Sequence, residues 1–317
     1  MHSAFPAIWR PPGAYLAVDL FFCLSGFVLA HAYSNRLDAG MSFVDFMRKR
    51  LLRLWPLYAL GMFVAAVPVV LGVLHHRRGA SALGPLVAGL FYIPWPGPGG
   101  ALYPLNIPAW SLLFELVANA LMELAWRWLN NFALAAIVGG GAIAIVGAAF
   151  AFGSLDGGFS LATAPIGLAR VAFSFFLGIL LWRARPQSST LSAWVQLIAV
   201  GLVLAVSAGP VPRGVVDVLA VVLVLPTIVW MGARTEPRGM SLTAFSVAGA
   251  MSYAIYVLHV PLMMPIAWIV QKRLQTTAAA IPVWVGLAVL AGLALLSWVL
   301  NLADVRLRKW IQVGGAA

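Results

Sequence analysis

"DLFFCLSGFVLAHAY", residues 19–33, reads as the body of a membrane helix, yet it opens on Asp19, carries Ser25 and closes near His31. Its apolar surroundings, 14–34, reach the roughly 20 residues that a helix needs to cross a bilayer. The rest of the chain follows suit. Of 317 residues, 62% are hydrophobic and only 9% charged, with a mean hydropathy of +0.96. A soluble domain carries about 25% charged residues, so this chain cannot cover itself with a polar surface. Near-continuous apolar runs, rather than alternating decamers, exclude a β-barrel and predict an all-α polytopic transmembrane bundle.

The same length criterion predicts about nine spans, near 14–34, 54–74, 109–127, 132–152, 162–182, 191–208, 214–232, 242–270 and 281–303. The run 81–93 is too short to cross and leads into PWPGPGG (94–100), so it reads as a re-entrant or interfacial element. With that run not crossing, Arg36, Arg48, Lys49, Arg50, Arg53, Arg127, Arg183, Arg185, Arg234, Arg238, Arg306, Arg308 and Lys309 collect on one side. Arg10, Arg77, Arg78, Arg213, Lys272 and Arg273 fall on the other. The positive-inside rule makes the first side, and the C-terminus, cytoplasmic. The net charge of +11 is therefore an orientation signal spread over span ends, not a nucleic-acid surface. Cys23 is the single cysteine, so there is no disulfide framework. No cleavable signal peptide, internal repeat or soluble domain is evident, and residues 1–317 read as one membrane unit.

Ionisable groups inside spans are costly and face the bundle interior or a cavity. Ser111, Glu115, Asn119 and Glu123 repeat every four residues and share one helix face. Ser252, Tyr256 and His259 form a second stripe, Arg170 and Ser174 a third, and Asp19 and Ser25 share a side of the opening helix. Each has a plainer reading. Ser174 and Asn119 read as helix glue, Ser25-Gly26 as a small packing surface, and Glu123 and His31 as interfacial. Glu115 and Arg170 divide evenly between function and a structural pair neutralising each other. In FMRKRLLRLWPLY (46–58), Arg50 and Arg53 lie one turn apart at the mouth of a span. Such a pair would clamp a phosphate, although ordinary positive-inside flanks look similar. No metal motif is present; His75-His76 is too sparse to argue one.

Four stretches in order, GAYLAVDLFFCLSGFVLAHAY (13–33), RKRLLRLWPLY (48–58), NIPAWSLLFELVANAL (106–121) and SYAIYVLHVPL (252–262), carry a family likeness. The chain resembles the integral-membrane acyltransferase family 3, O-acyltransferases that modify bacterial surface polysaccharides, lipopolysaccharide and Nod factors. The resemblance implies about ten spans in a bacterial inner membrane. It also implies transfer of an acyl group, acetyl above all, from cytoplasmic acyl-CoA to a hydroxyl of a cell-surface carbohydrate or lipid-linked sugar. The family's first helix, reading like LRGxAALxVVxxH, has no counterpart here: His2 stands where its terminal histidine falls. The expectation is a chain truncated at its N-terminus relative to the family, most simply by a misplaced start; a fragment or an impaired variant are the alternatives.

On this resemblance His2 is the base or transient acyl carrier, with Asp19 orienting it and Glu115 completing the catalytic candidates. Arg50 and Arg53 hold the phosphates of acyl-CoA, and no metal takes part. Trp110, Ser111, Arg170, Tyr256 and His259 line the substrate path. Two other classes stay open: a transporter or flippase, which would show an internal repeat with broken helices, and a non-catalytic relative kept for binding a partner.

Overall fold

The structure, a computed structural model, describes residues 11–184, 193–205, 210–233, 240–274 and 283–314. Its helices are α1 (Ala17–Asp38), α2 (Phe43–Leu74), α3 (Gly84–Leu90), α4 (Ala109–Ala125), α5 (Asn131–Phe152), α6 (Ala164–Arg183), α7 (Ala193–Ala205), α8 (Arg213–Leu219), α9 (Leu225–Gly232), α10 (Met240–Leu274) and α11 (Val283–Gly314). A π-helical segment, Ala220–Val224, joins α8 to α9. There the missing N–H and the ring of Pro226 disfavour regular α-helix, and the wider turn accommodates both. No strand occurs among the described residues.

Among the described residues, seven helical stretches are long and apolar enough to cross a membrane: Ala14–Asp38, Phe43–Leu74, Ala109–Trp128, Asn131–Phe152, Ala164–Arg183, Arg213–Gly232 and Phe245–Ile266. The protein is thus an all-α polytopic bundle, as its composition predicts. The expected spans near 191–208 and 281–303 carry shorter apolar helices among the described residues, Trp194–Ala205 and Leu287–Ala303. The helical stretch Ala80–Leu90 covers about 16 Å at 1.5 Å per residue, well short of the roughly 30 Å hydrocarbon core.

The chain packs as two compact units, one from Lys49–Trp110 and Thr243–Ala317, the other from Pro11–Arg48 and Ser111–Leu242. In the second, α1 lies against α6, and α6 against α5. Glycine sets the closeness of the first crossing. A Cβ on Gly26 would strike the Phe175 carbonyl, and one on Gly178 would strike the Cys23 carbonyl, so each helix offers a glycine to the other's backbone. Small residues serve this purpose in membranes, where backbone approach and dispersion replace the hydrophobic drive. Leu16, Ile145, Leu155, Ile166, Phe173 and Leu225 close the core beneath.

In the first unit the WPLY end of the basic segment secures α3. The α3 C-terminus leaves carbonyls without helical donors; Trp55 Nε1 donates to Leu90 O at 2.9 Å and Tyr58 Oη to Gly89 O at 2.7 Å. Tyr92 takes the left-handed position after the helix, at φ 58°, where glycine is usual. Its ring stacks on Tyr58 with centroids 4.3 Å apart, and its carbonyl accepts from Tyr103 Oη, which holds the unusual backbone. Burial pushes the Tyr103 phenol above the usual tyrosine range, so it stays a donor.

Candidate functional site

The candidate residues fall in both units. His2 lies outside the described residues. Asp19 and Arg170 are each 1% exposed and form an ion pair at 2.7 Å. Arg170 Nε also donates to both Asp19 oxygens at 3.1 Å, Nη1 to Gly157 O at 2.9 Å and Nη2 to Tyr15 O at 2.7 Å. Ser174 Oγ reaches Asp19 Oδ1 at 3.5 Å. Such a buried pair is tolerable only because further hydrogen bonds share its charge. Glu115 accepts from Ser25 Oγ at 2.6 Å. Ser25 therefore does more than pack.

A second polar cluster had no place in the sequence reading. Asp217, fully buried, accepts from Tyr15 Oη at 2.7 and 2.6 Å, from Arg213 Nε at 2.8 Å and from Leu155 N at 2.8 Å. Tyr15 links both clusters, its carbonyl to Arg170 and its hydroxyl to Asp217, while Arg213 Nε donates to that hydroxyl at 2.7 Å. The signal lay in "RGVVDVL" (213–219): an arginine and an aspartate four apart at the start of an apolar run. Ser111 and Asn119 are fully buried on α4.

The first unit holds the α10 stripe. Pro261 has no N–H to give Val257 O, its helical partner four residues back. Asn106 Nδ2 supplies the missing donor at 3.0 Å, and Gly61 of α2 comes so close that an added Cβ would lie 2.9 Å from the same carbonyl. In the loosened turn, His259 Nδ1 sits 2.7 Å from Tyr256 O and 3.2 Å from Ile255 O. Two carbonyl neighbours require a donor, so Nδ1 carries the hydrogen and Nε2 of the neutral ring is left as the acceptor. Tyr256 Oη donates to Pro108 O at 3.2 Å, two residues before Trp110, and Ser252 Oγ to Gly249 O at 2.8 Å. Ser252, Tyr256 and His259 line one largely apolar cavity of about 700 Å³ with Met251, Leu290 and Leu293. On α2, Arg50 is buried at 7% exposure while Arg53, one turn on, is exposed.

The family described as "Acyltransferase domain", acyltransferase family 3, matches residues 2–302. The chain belongs to this family. It is an integral membrane acyltransferase, moving groups other than aminoacyl groups. A relative from Rhizobium radiobacter, "Protein 2 in picA locus", is 43% identical over 133 residues, covering 37% of this chain and 68% of its own length. No solved structure matches. Among the described residues, no group of His, Cys, Asp and Glu is placed to hold a metal ion.

Proposed function

We propose that this acyltransferase carries an acyl group, acetyl above all, from acyl-CoA to a hydroxyl of a cell-surface carbohydrate or lipid-linked sugar, from the inner membrane with its C-terminus cytoplasmic. The observation that carries the reading is the family match across nearly the whole chain. In the reaction the acceptor oxygen attacks the thioester carbonyl, the C–S bond breaks, and coenzyme A leaves as the thiol. His2 takes the hydroxyl proton or carries the acyl group in transit, and Arg50 and Arg53 bind the phosphates of the donor. A guanidinium suits that task because its planar fork matches phosphate oxygens.

Support for an acceptor path comes from the α10 cavity. His259 Nε2 is an acceptor without a described competitor, and it stands among apolar side chains beside the Tyr256 ring, centroids 6.0 Å apart. A hydroxyl brought there would find one fixed basic atom among apolar side chains. The test is transfer of labelled acetyl from acetyl-CoA by the purified chain, beside Arg50→Ala/Arg53→Ala and His259→Gln. Donor binding lost in the arginine double variant, with His259→Gln keeping binding and losing transfer, supports the reading. Donor binding unaffected by the double variant sinks the assignment of the arginines, and no donor binding at all sinks acyl-CoA as donor.

A further inference from the structure

The second unit has a pocket that none of the family's motifs reaches and the proposed reaction does not use. It lies where α1, α4 and α6 end and α5 begins, has a volume of about 510 Å³, and is lined by Asp38, Trp126, Arg127, Asn130, Trp182 and Arg183. Two guanidiniums face one carboxylate, and Asp38 already accepts from Trp126 Nε1 at 2.8 Å. Arg183 is held in place: Nη1 donates to Asn131 Oδ1 at 3.1 Å, and its guanidinium lies 5.7 Å from the centre of the Trp126 ring. That geometry fixes the plane while leaving other N–H groups for a ligand. Arg127 is exposed and has no hydrogen bond or ion pair among the described residues.

The backbone adds to this field. Asn130 caps α5 by accepting from Ala133 N at 2.8 Å, so the positive end of a 22-residue helix begins at the pocket wall. Indole walls also suit this depth, since tryptophan favours the headgroup level. A positive, tryptophan-walled pocket between helix ends fits a phosphate attached to something less polar.

We propose that this pocket binds the phosphate group of a membrane-surface ligand, drawn either from the bilayer as an anionic phospholipid headgroup or from water as a coenzyme A phosphate. The site stands whether or not the proposed acyl transfer is correct. The experiment uses the detergent-purified chain and measures saturable binding of dioleoyl phosphatidylglycerol and of coenzyme A, with dioleoyl phosphatidylcholine as the neutral control. Wild type, Arg127→Gln and Arg50→Ala/Arg53→Ala are compared. Arg127 is exposed, and an unchanged melting temperature of Arg127→Gln verifies that the fold does not depend on it. The expected result is that phosphatidylglycerol binding, or coenzyme A binding that survives Arg50→Ala/Arg53→Ala, weakens about tenfold in Arg127→Gln, the loss of one charge-assisted hydrogen bond. If that ligand is phosphatidylglycerol and not phosphatidylcholine, the source is lipid; if it is coenzyme A, the source is soluble. Binding of phosphatidylglycerol and of coenzyme A that are both indifferent to Arg127→Gln, or equal binding of the two lipids with no Arg127-dependent binding of coenzyme A, overturns the proposal.

Discussion

Arg170 shows how this protein keeps charge inside a membrane: it spreads one guanidinium over Asp19, Tyr15 O and Gly157 O. Asp19→Ala removes the carboxylate and should cost about 3–5 kcal/mol, the usual penalty for breaking a buried pair from one side. The melting temperature in detergent reads the loss, and Asp19→Leu/Arg170→Met should recover most of it. If Asp19→Asn kept both fold and melting temperature while transfer vanished, the carboxylate would belong to the chemistry rather than to stability. Sequence exposes these charges readily, because lipid rejects them wherever they stand. It does not tell which partner each one finds. Arg170 meets Asp19 because α1 packs against α6, at a crossing whose closeness Gly26 and Gly178 set. Asp217 hid for a related reason: Arg213 and Tyr15 neutralise and bond it, so its meaning lies in contacts rather than in its own position.

At the scale of elements, α10 is a helix interrupted by its own proline and repaired from outside. Asn106→Leu should leave Val257 O buried without its donor, at about 1–3 kcal/mol. Pro261→Ala restores a backbone N–H and should suppress that cost, so thermal unfolding of the single and double variants tests the repair directly. Additive losses would mean that Asn106 acts elsewhere. The α1–α6 crossing makes a second prediction. Gly26→Ala and Gly178→Ala each force a Cβ onto a backbone carbonyl, and separating the helices should cost about 1–3 kcal/mol apiece. Gly40→Ala is the contrast: there the φ of 83° is strained but nothing lies within 4 Å, so the loss should be smaller and confined to the turn. A larger loss at Gly40 than at Gly26 would refute close helix approach as the reason for the glycines. The helices and the α10 stripe were legible in the sequence through length and the four-residue repeat. The repair was not, because Asn106 and Val257 stand 151 residues apart.

At the scale of the whole molecule, orientation joins the charge pattern to the helices. Helix α5 alone spans about 33 Å at 1.5 Å per residue, enough to put its ends on opposite membrane surfaces. The turn after α1 and the turn after α4 share the side rich in arginine, Arg36 and Arg127 among them, while Asp156 lies in the α5–α6 connection on the other side. The single cysteine makes this testable. Cys23 is 2% exposed and should resist a membrane-impermeant maleimide even before its replacement. In a Cys23→Ala background, Asp156→Cys should label in intact cells and Ala39→Cys only after the inner membrane is opened; both positions are exposed, so access alone decides the outcome. The reverse pattern would turn the protein over and place Arg50 and Arg53 away from any cytoplasmic donor, which removes acyl-CoA binding from their role. Labelling of both sites from the same side would mean that α5 does not cross, and the positive-inside assignment built on it would fall as well.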